Sequence, residues 1–167
     1  MGRLLIHVPR LYTEDEFLKV ATKVPPDYDE KAEEFWGYID EKLSVLGQHV
    51  KRIYLESLEK IDDEVQDKVH SILGVKGTLI INKLLSIGAK LQPTEDPKLI
   101  LETDSWTKMM QNNPELDIVG EMFEDNIRER DSHIAWAIDQ TLAEGETGVI
   151  FLEPVHKLSL RSDVRLV

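Results

Sequence analysis

Four short apolar runs rich in branched residues, each separated from the next by a long stretch of helical period, constrain this chain more than any other feature. The runs are residues 3–8 (RLLIHV), 51–56 (KRIYLE), 89–94 (AKLQPT) and 148–152 (GVIFL), with 164–167 (VRLV) as a fifth. Strands joined by helical crossovers lie parallel, whereas antiparallel neighbours need only a tight turn. A parallel sheet is covered on both faces. The sequence therefore predicts an α/β fold: a mainly parallel four- to five-stranded sheet with helices on both faces, a three-layer α/β/α sandwich, in one domain over residues 1–167. Pro93 cannot donate a ladder hydrogen bond, which places the third run at an edge or a strand end.

The helices between the runs carry their own punctuation. Thr13 and Glu16 have the spacing of a capping box and start a short helix that runs to about Val24, before Pro25-Pro26. Ala32, Phe35, Trp36, Ile39, Leu43 and Leu46 form one helical face, and Gly47 is expected to close it in the left-handed cap position. Val65, Val69 and Ile72 mark a helix stopping near Gly74, and residues 79–87 mark another, closed by Gly88. Asp96-Pro97 pairs an N-cap aspartate with a proline at the first helical position. After the break at Asn113-Pro114, a long helix carries Ile118, Met122, Asn126, Arg130, Ile134, Ile138 and Leu142 on nearly one stripe, up to Gly145.

Charge narrows the function classes. Twenty basic against 32 acidic side chains leave a formal charge of −12, which argues against nucleic acid or an anionic membrane as partner. The absence of cysteine excludes disulfides, thiolate metal sites and a cysteine nucleophile. The apolar stretch at residues 4–8 is too short for a signal-peptide core, and no run reaches membrane-spanning length, so a cytoplasmic location is expected. There is no GxGxxG, P-loop, GxSxG or HExxH pattern.

In an open parallel sheet, ligands bind beyond the carboxyl ends of the strands. There the sequence places His7, Glu56, Glu95 with Asp96, and Glu153 with His156. A histidine within an apolar strand is more often a satisfied core residue than a ligand, and Glu56 could equally emerge into solvent. Arg130 lies on the inward stripe of the long helix and needs a carboxylate partner, for which Glu56 is the candidate. Asp131 belongs to the charged segment 128–131, whose default reading is a solvated face, and His133 reads as surface.

The order of these motifs resembles the TraB-like superfamily, which includes erythromycin-esterase-like, Tiki-like and ChaN-like proteins. The matching stretches are RLLIHVPRLYTEDEF, RIYLESL, IRERDSHIAWAID and GVIFLEPVHKL. The resemblance implies a hydrolase-like site built from His7, Glu56 and His156, with Arg130 orienting the glutamate or binding an anionic group of a small-molecule or peptide ligand. Glu95 joins it as a further substrate-binding candidate. His7, Glu56 and His156 would flank an activated water or bind a divalent metal, for which zinc, manganese and iron suit the donors equally. The chain departs from the family where Leu5-Ile6 replaces the G-T before the first histidine and Glu153 replaces a motif glycine. Those departures support an alternative: a non-catalytic α/β domain that binds a small ligand or acts as a homo-oligomer.

Overall fold

The computed structural model describes residues 2–167. Its five strands are β1 (Arg3–Pro9), β2 (Val50–Leu55), β3 (Lys90–Gln92), β4 (Thr147–Leu152) and β5 (Val164–Leu166). They form one sheet in the order β3-β2-β4-β1-β5, and every pairing is parallel. The longer strands β2, β4 and β1 occupy the centre. The three-residue strands β3 and β5 form the edges, as Pro93 requires of the first of them.

Alternation along the strands divides the core in two. Ile53, Leu55, Val149 and Phe151 face helices α2 (Tyr28–Leu46) and α3 (Val65–Ser86), and pack with Trp36, Ile39, Leu43, Val69 and Ile81. Leu5, Tyr54, Ile150 and Leu152 face the other way, onto Ile134, Ile138 and Leu142 from α5 (Asp117–Thr141) and its C-cap. Helix α4 (Pro97–Asn112) buries none of its residues and packs against α5 rather than the sheet. The short α1 (Glu14–Val20) starts on the expected capping box, with Thr13 accepting from the Glu16 amide and Glu16 reaching back to the Thr13 amide.

Several expectations change in detail. Gly47 is right-handed, at φ −49°, and leads α2 into a 3-10 turn (Gly47–His49) instead of capping it. The expected helix stop near Gly74 is present, since Gly74 is non-helical at φ 76° and ψ −173° and breaks α3 in two, but the second helix resumes directly after it rather than at residue 79. Helix α1 ends at Val20, short of Val24. The α5 stripe is inward only from Asn126 onward, because Ile118 and Met122 are exposed.

Gly77 shows how closely α3 approaches α2. A Cβ there would lie 2.5 Å from Leu73 Cβ and 3.0 Å from two ring atoms of Trp36. Gly77→Ala is therefore expected to cost about 1–3 kcal/mol, overpacking outweighing the roughly 1 kcal/mol that alanine gains over glycine in a helix. Gly37 and Gly120 face open space, and alanine there should be neutral or stabilising. Urea denaturation of the three variants checks this. A stabilised Gly77→Ala protein would contradict the packing.

Candidate active site at the carboxyl edge of the sheet

Parity along β2 sends Glu56 to the α5 side, since Tyr54 faces that layer and Glu56 follows two residues later. There it meets His156, brought in by the turn after β4. His156 Nε2 donates to Glu56 Oε1 at 2.7 Å, and Nδ1 donates to Asp131 Oδ1 of α5 at 2.5 Å. The second Asp131 oxygen accepts from the Lys157 amide at 3.0 Å. One imidazole is thus held between two carboxylates, and all three residues are buried.

Two guanidinium groups complete the cluster. Arg10, three residues beyond His7, donates to Glu56 Oε2 at 2.9 Å and to Glu16 Oε2 at 2.6 Å, and stands 3.9 Å from Glu153. Its Nε is buried without a hydrogen-bond partner. Arg130 forms a two-pronged pair with Glu95: Nε donates to Oε1 at 3.0 Å and Nη2 to Oε2. Glu95 also accepts from the Ser57 amide at 3.2 Å, while Glu56 lies 3.8 Å from Arg130. The main partner of Arg130 is therefore Glu95, not Glu56. Glu95 turns out to be a buried counter-ion of α5 rather than a group facing a ligand.

Electrostatics separate the titrating groups. Burial acts to raise Glu56, but the hydrogen bond from His156 and the charge of Arg10 outweigh it and hold the carboxyl below its ordinary value. Burial acts to lower His156, but Glu56 and then Asp131 outweigh it, so the ring is held as a cation above its usual range. Glu153 moves the opposite way from Glu56: burial and then the neighbouring Glu56 charge raise it. Tyr12, which hydrogen-bonds Glu153, is pushed up to about 12 by burial and by that carboxylate. Two adjacent glutamates with pKa values driven apart are the usual arrangement for acid–base work.

Glu56, Glu153 and His156 each present a ligand atom, and these lie within 4.8 Å of one another, the one such trio among the described residues. His7 is not a member. Its Nε2 donates to the Leu152 carbonyl at 2.9 Å, which ties β1 to the end of β4. The structure therefore groups Glu153, not His7, with Glu56 and His156, and the His7 ring is engaged with the sheet. Asp131 is also no solvated residue, and His133 is half-buried, with Nδ1 bonded to the Thr94 carbonyl at 3.0 Å. Arg10 escaped the sequence reading and Asp131 was assigned there to a solvated face, although each had a signal. Arg10 follows the end of strand one, and Asp131 lies four residues from the buried Ile127.

Fold and site together define a parallel α/β domain with a buried carboxylate–imidazole cluster at the carboxyl edge of its sheet. Compared with known protein families, curated proteins and solved structures, the chain matches none. Among the described residues, no helix is long and apolar enough to cross a membrane.

Proposed function

We propose that this chain is a divergent TraB-like domain with a hydrolase-like centre on Glu56, Glu153 and His156, and that these three residues hold a divalent metal. The observation that carries this reading is the trio of ligand atoms within 4.8 Å, backed by Asp131 on the far ring nitrogen of His156. A histidine that ligates a metal generally donates its other N–H to a carboxylate, which fixes its tautomer. Asp131 supplies that partner. Two carboxylate oxygens and one imidazole nitrogen suit zinc, manganese or iron. The 2.7 Å between Nε2 and Glu56 Oε1 is spanned by a proton, and an ion with bonds of about 2.0–2.2 Å would take that proton's place after a small separation of the two groups.

When bound, such an ion would polarise a carbonyl or phosphoryl oxygen and acidify a water. The chain's own residues supply the rest. Arg10 and Asp131 orient Glu56 and His156. Glu153 is less buried than Glu56, so among the three ligands it would lie nearest an incoming substrate. The substrate class is a small molecule or peptide.

Metal content and titration with Zn²⁺, Mn²⁺ and Fe²⁺, together with a screen of generic ester and peptide substrates, test the reading. Glu153→Gln and His156→Gln should abolish metal retention. Asp131→Asn, which removes the carboxylate behind His156, should weaken it about 10- to 100-fold. His7→Ala should leave it unchanged. A wild-type protein that neither retains metal nor turns over any substrate would favour the alternative, a non-catalytic ligand-binding or oligomeric domain. That alternative has its own support: Glu56 is satisfied on both oxygens and His156 on both nitrogens by protein groups alone.

A further inference from the structure

Helix α5 is longer than the sheet it covers. Its 25 residues span about 37 Å, and only the C-terminal half packs on strands. The N-terminal half projects with α4 as a helical hairpin, closed by the turn at residues 113–116 and tied together by Asn126, which donates to the Leu99 carbonyl and accepts from Thr103. At the tip, apolar side chains face solvent. Met109, Met110 and Met122 are 42%, 37% and 37% exposed, beside the exposed Leu116 and Ile118. Every methionine of the described residues is therefore at this one place. Around them, residues 104–125 carry six carboxylates (Asp104, Glu115, Asp117, Glu121, Glu124 and Asp125) against Lys108, with Asp125 paired to Arg128 of the next turn.

We infer that the α4–α5 tip is a docking surface for a basic amphipathic helix of a partner protein. Methionine is unbranched and polarizable, so a methionine cluster adapts to apolar faces of differing shape. The surrounding carboxylates select a partner whose polar flanks carry lysine or arginine and disfavour an acidic one. The same charge argues against a second copy of this chain, since two such tips would meet with carboxylates facing carboxylates. A helix laid on the tip would bury its apolar stripe on the methionines and set its cations against the acidic rim.

The probe is a synthetic helical peptide of about 18 residues, five turns, with a leucine face and lysine flanks, compared with its leucine–glutamate counterpart. The intact chain carries four methionines, so methyl-labelled methionine gives four resonances, of which those of Met109, Met110 and Met122 should shift on titration. Binding should saturate, weaken with added salt, and fall about tenfold or more in the Met110→Ser/Met122→Ser variant, which keeps every charge. These two side chains are exposed, and an unchanged circular dichroism spectrum would show the variant folded. Undiminished binding in that variant would reduce the effect to bare charge attraction and overturn the assignment. So would equal binding of the acidic peptide, or a concentration-dependent dimer that the double variant abolishes.

Discussion

Arg130→Met should destabilise the fold by about 3–5 kcal/mol. Arg130 and Glu95 are both buried, at 5% and 2% exposure, and among the described residues Glu95 has only the Ser57 amide as another hydrogen-bond donor. Removing the guanidinium leaves a carboxylate in low dielectric without its cation and also takes a positive charge from beside Glu56, 3.8 Å away. The loss measures a stranded charge rather than the net worth of the pair. The double variant Arg130→Met/Glu95→Leu should accordingly recover most of the stability, because apolar groups of similar volume can replace a buried ion pair at little cost. Urea denaturation of both singles and the double closes the cycle. A loss below about 1 kcal/mol in Arg130→Met would mean that Glu95 reaches water.

The second large effect is pH-dependent and centres on His156. His156→Gln removes the cation between Glu56 and Asp131 and should cost about 3–5 kcal/mol where the ring is charged and both carboxylates are ionised. The sign follows from the two shifts. His156 is raised above 6.5 in the folded protein, so its contribution is fully present below that value and is lost as pH rises through its folded pKa. Glu56 is lowered below 4.5, so its contribution is present above that value and is lost as pH falls through its folded pKa. The stability gap between wild type and variant should be widest between about pH 4.5 and 6.5, and narrow toward alkaline pH. Chemical denaturation at a series of pH values, with a chelator present, measures it. A gap that widens above neutrality would show the ring to be neutral in the folded state.

How far the sequence was legible can be judged from particular residues. The strands were readable because a centrally buried parallel strand is an unbroken branched apolar run, as in Val149–Ile150–Phe151. The edge position of β3 was readable because proline lacks a donor. Gly47 misled because a glycine after a helix permits the left-handed region without requiring it, and here the chain turns through a right-handed 3-10 turn into β2. Ile118 and Met122 misled because their spacing matches the inward stripe, while the sheet ends before it reaches them.

The site divides in the same way. Glu56 and His156 stood out because each follows a buried strand at the edge where crossover loops converge. Glu153 was in view but outranked by His7, since a histidine at a strand end looks chemical until its hydrogen-bond partner is known. That partner, the Leu152 carbonyl, lies 145 residues along the chain.

The order of elements, the parallel sheet, the acidic surface and the edge on which polar residues gather were all determined by sequence alone, because each follows from local periodicity, backbone donors or charge count. Which cation faces which carboxylate was decided only by tertiary structure. Glu56 could be paired with Arg130 on paper, yet α5 delivers Arg130 to Glu95 and Asp131 to His156, and β1 is followed by the Arg10 that reaches Glu56. Partners in a buried charge network are set by distances of a few ångströms between segments far apart in the chain, and no local pattern encodes those distances.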